Sequence, residues 1–146
     1  MKKNWLKIMG RTLVPAVICV MAQSSLALAT DYTFFIKNNL NSFTYSENKQ
    51  AVCSNISISL MAGTTTLATQ SVKQLNADQT TTLTLTAPVC SQVAIQATCK
   101  FKDYTRKEIT KTKQIRVGCK GGEIYLSPSP MSREWTTLAI NYYESR

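Results

Sequence analysis

Asn55-Ile-Ser-Ile-Ser-Leu-Met-Ala62 is the stretch that decides the fold, because apolar and polar residues alternate along it. Ile56, Ile58 and Leu60 face one way, and the serines and Met61 between them face the other. A period of two is that of a β-strand with one buried side. A second stretch, Val93-Ala-Ile-Gln-Ala-Thr-Cys-Lys-Phe-Lys102, alternates in the same way. The pattern predicts two strands of an all-β domain.

Shorter runs of the same kind, separated by turn residues, bring the total to about seven or eight strands. They are residues 32–37, 67–75, 80–86, 113–119, 123–126 and 135–143, with a local pairing at 43–45. Residues 103–112 are expected to form a polar, charged connection, and 127–130 an extended Pro-containing link. A series of short strands without helical periodicity is typical of an antiparallel β-sandwich.

The first 29 residues have the features of a cleavable signal peptide. Four basic residues and no acid precede the apolar run 13–22, and Ala27-Leu28-Ala29 fits a cleavage site. The run is ten residues long, whereas a membrane span needs about 20. Residues 30–146 are expected to form a single domain that is periplasmic or secreted, with no segment able to cross a membrane.

Four cysteines remain after cleavage: Cys53, Cys90, Cys99 and Cys119. An even number in an exported chain indicates two disulfides. A metal site is the competing reading, but there is no C-x-x-C pair and no histidine. Three pairings are open. If successive strands alternate in direction, Cys53 meets Cys99 at one end of the sandwich and Cys90 meets Cys119 at the other, so this pairing is preferred.

Residues 56–101 resemble a bacterial immunoglobulin-like or fibronectin-like module. The resemblance rests on Ile56 to Gly63, Leu67 to Val72, Leu75 to Leu85, Ala87-Pro88 and the strand from Val93 to Phe101. It covers about a third of the chain and departs from the family in its cysteines and its basic connection. It implies two packed antiparallel sheets and an immunoglobulin-like topology. It carries over no functional residue.

The composition argues against an enzyme. Nucleophilic sites of the Ser-His-Asp or Cys-His type need an imidazole, and the sequence contains none. No pair of acidic residues has the spacing of an acid–base motif, and no glycine-rich phosphate loop is present. We expect no catalytic residue, no cofactor and no metal.

Basic residues cluster between positions 100 and 120. The eight cations are Lys100, Lys102, Arg106, Lys107, Lys111, Lys113, Arg116 and Lys120, opposed by Asp103 and Glu108. Such a cluster predicts a patch for lipid head groups, acidic polysaccharide or another anionic partner. Export argues against nucleic acid. The alternative reading is a solvated hairpin whose lysines discourage edge pairing.

Two pairs of adjacent aromatic residues, Phe34-Phe35 and Tyr142-Tyr143, lie within predicted strands. Neighbouring side chains on a strand point to opposite faces, so one ring of each pair is exposed or lies at a second interface. Exposed aromatics are common binding anchors. Packing beneath a loop is the alternative.

These features favour a non-enzymatic binding module that recognises a protein or an anionic surface through a sheet face, an edge strand or the basic connection. Two alternatives stay open. The domain is an inhibitor of a secreted or cell-wall hydrolase, or it is an assembly subunit that pairs by strand addition. The sequence does not identify the partner or the oligomeric state.

Overall fold

A computed structural model describes residues 28–41, 49–129 and 137–146, which contain eight β-strands. They are β1 (Thr30–Asn38), β2 (Val52–Ala62), β3 (Thr65–Asn76), β4 (Thr80–Ala87), β5 (Gln92–Lys102), β6 (Glu108–Gly118), β7 (Gly122–Pro128) and β8 (Leu138–Glu144). Most of the predicted signal peptide, the pairing at 43–45 and Trp135 lie outside the described residues. Within these ranges, no helix is long and apolar enough to cross a membrane.

The strands form two four-stranded sheets. Sheet A has the order β4-β1-β7-β8, and sheet B has the order β3-β2-β5-β6. All neighbours are antiparallel except β1 and β7, which run parallel in the middle of sheet A. β3 contacts β4, and β6 contacts β8 along the two sides of the sandwich. The all-β sandwich with about eight strands is confirmed.

The core lies between the sheets and is built by the alternation seen in the sequence. Ile56, Ile58 and Leu60 on β2 are completely buried, as are Val93 and Ile95 on β5. Sheet A contributes Phe34, Ile36, Ile124 and Leu126 to the same cluster. Burial of one such side chain stabilises the fold by about 1.5–3 kcal/mol.

A bulge in β2 keeps these side chains inward. Relative to β5, the register shifts between Ser54 and Ser57, and Asn55 has a φ of 50°. The extra residue restores the inward direction, so Cys53 and Ile56 are both buried although three positions apart. Asn tolerates this left-handed backbone better than most residues.

Asn38, at the end of β1, is a polar side chain with no exposed surface. Its amide donates to the carbonyls of Ala51 and Leu75 at 3.3 and 2.9 Å, and its Oδ1 accepts from the N–H of Leu40 at 3.2 Å. Because Leu75 lies on β3, this side chain ties sheet A to sheet B. Buried polar groups persist when they are satisfied in this way.

Both disulfides have the preferred pairing. Cys53 and Cys99 lie directly opposite each other on β2 and β5, with their Cα atoms 4.0 Å apart. Cys90 in the β4–β5 connection is joined to Cys119, just after β6, with a Cα separation of 5.8 Å. Two disulfides indicate an oxidising, extracytoplasmic environment.

The immunoglobulin-like topology is not confirmed. Immunoglobulin constant domains have four strands in one sheet and three in the other, with a disulfide between the sheets. The described part of this chain has four strands in each sheet, and Cys53–Cys99 lies within sheet B.

Several strand boundaries differ from the prediction by one to five residues; β2, for example, begins at Val52 rather than Asn55, and two further differences fall in segments that were expected to be irregular. β6 begins at Glu108 rather than Lys113, so the second half of the expected connection belongs to this strand. β7 continues through Ser127 and Pro128, which were expected to form a link. β8 is described from Leu138 onward.

Candidate binding surfaces

The basic hairpin consists of β5, β6 and the turn between them, continued to Lys120. Asp103 orders the turn. Its Oδ1 accepts hydrogen bonds from the Thr105 hydroxyl at 2.7 Å, the Thr105 N–H at 2.8 Å and the Lys107 N–H at 3.0 Å. Backbone bonds from Asp103 N–H to the Lys107 carbonyl and from Arg106 N–H to the Asp103 carbonyl close the turn.

Asp103 stabilises this turn in its ionised, carboxylate form. The hydrogen bond from the Thr105 hydroxyl, together with the two N–H groups, holds the pKa of Asp103 below its ordinary 3.8. The turn places Arg106 in the left-handed region, with a φ of 64°, and leaves Tyr104 52% exposed. The carboxylate therefore holds a cationic turn in one conformation.

The structure places the eight predicted cations in different parts of the hairpin. Lys100, Lys102 and Arg116 lie on the outer face of sheet B, Arg106 and Lys107 lie in the turn, and Lys120 lies in the β6–β7 connection. In the strand register, Lys111 lies opposite Cys99 and Lys113 lies opposite Ala97, and the side chains of Cys99 and Ala97 point into the core. Both lysines are nevertheless exposed. The cations nearest the turn, Lys102, Arg106 and Lys107, form a group that we call the hairpin tip.

Lys100 and Lys120 each form an ion pair with a carboxylate. Lys100 Nζ lies 2.8 Å from Glu108 Oε1, and Lys120 Nζ lies 3.1 Å from Glu144 Oε2. All four side chains are about half exposed or more, so neither pair adds much to stability.

The outer face of sheet A is a second candidate surface, on the other side of the sandwich. Each predicted aromatic pair divides as expected. Phe34 is buried and Phe35 is 48% exposed, while Tyr142 packs against the core and Tyr143 is 60% exposed. Both exposed rings lie on this face.

The strand register brings these rings into one row. Phe35 on β1 is opposite Glu123 on β7, and Glu123 is opposite Tyr143 on β8. The next row contains Lys37, Tyr125 and Asn141. We call the surface formed by Phe35, Tyr125 and Tyr143, with the polar side chains between them, the aromatic face.

Tyr125 and Glu123 form a ridge along the middle of the aromatic face. The Tyr125 hydroxyl donates to Glu123 Oε2 at 2.6 Å, and this bond raises the pKa of Tyr125 above its ordinary 10. The Tyr125 and Tyr143 rings meet edge to face, with centroids 5.8 Å apart. The hydrogen bond and the ring contact fix the orientation of Tyr125.

An open depression lies on each side of this ridge. The one of about 490 Å³ is lined by Asn39, Glu123, Tyr125, Ser127, Asn141 and Tyr143. The one of about 240 Å³ is lined by Phe35, Lys37, Thr80, Glu123 and Tyr125. Aromatic walls with a few converging polar groups are typical of small-ligand sites.

The aromatic pairs in the sequence pointed to Phe35 and Tyr143 but not to Tyr125 or the surrounding amides. Tyr125 lies in a short strand, Glu123 to Leu126, whose neighbours the sequence pattern did not reveal. No metal site emerges: across the three described ranges, no three Cys, Asp or Glu residues come together to hold an ion.

No family model and no curated protein matches this chain. Among solved structures, it is similar to the NMR structure of a protein from Eubacterium rectale, with a TM-score of 0.43 and 10% sequence identity. The alignment covers 79% of this chain and 90% of that chain. The resemblance to immunoglobulin-like modules therefore gains no family assignment.

Proposed function

We propose that this chain is a non-enzymatic binding domain that works outside the cytosol, and that its hairpin tip engages a surface of clustered anionic groups. The observation that supports the proposal is the ordered turn at Asp103. The turn holds Arg106 and Lys107 beside Lys102 in one conformation before a partner binds. Because the turn is already ordered, less conformational entropy is lost on binding.

The charge of the tip fits such a surface. Asp103 is 7% exposed and its carboxylate faces the turn that it orders, while Glu108 pairs with Lys100 and lies opposite Lys102 at the base of the tip. The exposed ring of Tyr104 lies within the same turn and can enter the interface beside the cations. Each Lys or Arg near an anionic membrane contributes about 1 kcal/mol of attraction.

Two features support the other parts of the proposal, which are a place outside the cytosol and a non-enzymatic role. The disulfides, together with the basic, apolar and Ala-x-Ala segments at the start of the sequence, favour export to the periplasm or beyond. The lack of histidine favours a binding role over hydrolytic catalysis.

The test measures binding of the oxidised protein to vesicles of phosphatidylglycerol and phosphatidylcholine and, in a second arm, to polygalacturonate. The triple variant Lys102→Glu, Arg106→Glu, Lys107→Glu should lose at least about tenfold in affinity, because three attractive charges become repulsive. Added salt should weaken the binding of the wild-type protein. The two arms distinguish lipid head groups from acidic glycans.

A matched control reverses the same amount of charge elsewhere. Lys73, Arg116 and Arg146 are exposed and lie away from the hairpin tip: Lys73 on β3, Arg116 at the far end of β6, and Arg146 beyond β8. Their triple reversal to Glu should weaken binding much less than reversal at the tip. Equal losses in both triple variants, or no binding of the wild-type protein to either anionic surface, would overturn the proposal.

A further inference from the structure

We propose that the aromatic face is a separate binding site and that it takes a neutral oligosaccharide, with sugar rings packed on Phe35 and Tyr143. This site lies on sheet A, so the proposal does not depend on the basic hairpin of sheet B.

The first argument is the exposure of two rings on a rigid sheet. Phe35 and Tyr143 leave about half of their surface in water, although each has a strand neighbour that packs inward. Covering such rings with the apolar face of a sugar removes that surface from water at little entropic cost, because aromatic side chains have few rotatable bonds.

The second argument is the chemistry of the groups between the rings. Asn39 and Asn141 line the larger depression together with the buried Ser127, whose hydroxyl accepts a hydrogen bond from the Asn141 amide at 2.9 Å, and Thr80 lines the smaller one. Amides and hydroxyls both donate and accept hydrogen bonds, as the hydroxyl groups of a sugar do. Few other ligands combine an apolar ring face with a rim of hydroxyl groups.

The third argument is charge. Among the residues that the structure describes, one carboxylate, Glu123, and one ammonium group, Lys37, line the two depressions. Glu123 belongs to both depressions and accepts a hydrogen bond from Tyr125, so an anionic ligand would meet a fixed negative charge at the centre of the face. A neutral glycan avoids that repulsion, and its hydroxyls can donate to the same carboxylate.

The fourth argument is the spacing. Phe35 and Tyr143 lie in one row with Glu123 between them, so their Cα atoms are two strand spacings, about 10 Å, apart. The ridge separates the two depressions. This arrangement suits a narrow ligand of several linked rings better than a protein, whose interface needs about 800 Å² of complementary surface on each partner.

The experiment is affinity electrophoresis of the oxidised protein through gels that contain a soluble α-glucan, β-glucan, xylan or mannan. At least one of the four should retard the wild-type protein, and the retardation should persist at high salt because the ligand is uncharged. Binding to the corresponding oligosaccharide is then measured by two-dimensional NMR, with shifts expected at Phe35, Tyr125 and Tyr143.

Phe35→Ala and Tyr143→Ala should each weaken that binding by about tenfold, which equals 1.4 kcal/mol. Tyr143→Phe keeps the ring and should keep most of the affinity. Tyr104→Ala is the matched control, because it removes a 52% exposed ring from the hairpin instead. Circular dichroism and the melting temperature check that each variant is folded.

Two outcomes would overturn the proposal. One is the absence of retardation in all four gels. The other is retardation that Phe35→Ala and Tyr143→Ala leave unchanged. Capture of a protein that depends on Tyr143, without any binding to sugars, would replace the glycan by a protein partner. None of these results bears on the vesicle experiment with the hairpin variants.

Discussion

Asp103 shows how a single carboxylate can organise a charged turn. It was counted in the sequence as an acid that opposes the basic cluster. In the structure its Oδ1 accepts three hydrogen bonds from the residues that follow it. Sequence composition records only its charge, whereas its role depends on where β5 ends and the turn begins.

The lowered pKa of Asp103 predicts a pH-dependent effect of Asp103→Asn. A carboxyl whose pKa is lower in the folded protein stabilises the fold above its unfolded pKa, and this contribution disappears as the pH falls through the folded pKa. The variant should therefore unfold at lower urea than the wild type at neutral pH, because hydrogen bonds to a charged acceptor are stronger. The difference should close as the pH falls below 3.8.

Asp31→Asn is the control for this experiment. It removes the same charge from sheet A, where the Asp31 carboxylate accepts one hydrogen bond from the Thr86 hydroxyl at 2.6 Å. Its effect at neutral pH should be smaller than that of Asp103→Asn. If Asp103→Asn lowers the stability to urea by the same amount at neutral and acidic pH, the charge of Asp103 does not order the turn.

At the scale of the strand, the sequence predicted elements best where one face of the strand is buried and the other faces solvent. β5 alternates along its length, and its predicted start, Val93, lies one residue inside the observed start at Gln92. β6 was placed too late because Lys111 and Lys113 occupy inward register positions that a simple alternation reserves for apolar residues. β6 forms one edge of sheet B, where charged residues in such positions discourage pairing with another chain.

Gly122 marks the close approach of β7 to β8. A Cβ at this position would overlap the carbonyl oxygen of Tyr143 and lie 2.9 Å from the Tyr142 ring. Gly122→Ala should therefore lower the unfolding free energy by about 1–3 kcal/mol or more, since the backbone of β8 has to move.

Gly118→Ala is the matched control, because its Cβ would meet only Glu144 Oε1, at 3.5 Å. We expect a change within about 0.5 kcal/mol for this variant, measured in the same urea titration. A tolerated Gly122→Ala, with a midpoint equal to that of Gly118→Ala, would contradict the close strand approach.

At the scale of the whole molecule, the two disulfides close loops that differ in length. Their sequence separations are 46 residues for Cys53–Cys99 and 29 for Cys90–Cys119. In the chain-entropy model each stabilises the fold by about 3.5–4 kcal/mol. Replacing both cysteines of either pair by Ala should lower the unfolding free energy by about that much.

The loss of unfolding free energy should be larger when Cys53 and Cys99 are replaced, because both side chains are completely buried and their removal also leaves a cavity. Urea unfolding of the two double variants measures the difference. If the Cys90→Ala, Cys119→Ala variant is the less stable of the two, the assignment of the core disulfide as the more important one is wrong.

The aromatic face is a property of the whole chain, which is why the sequence predicted only part of it. The alternation rule correctly divided the Phe34-Phe35 and Tyr142-Tyr143 pairs. It does not reveal which strands are neighbours, and the face exists because β7 lies between β1 and β8. Tyr125 and Glu123 join the other rings only through that order.

The parallel pairing of β1 with β7 also governs the order in which the chain can acquire its structure. Sheet B contains two hairpins, β2–β3 and β5–β6, whose partners are close in sequence. The centre of sheet A forms only when a segment near the end of the described chain reaches one near its beginning. Contacts between such distant segments slow folding. During synthesis, β1 therefore stays without its central partner until residues 122–128 have emerged.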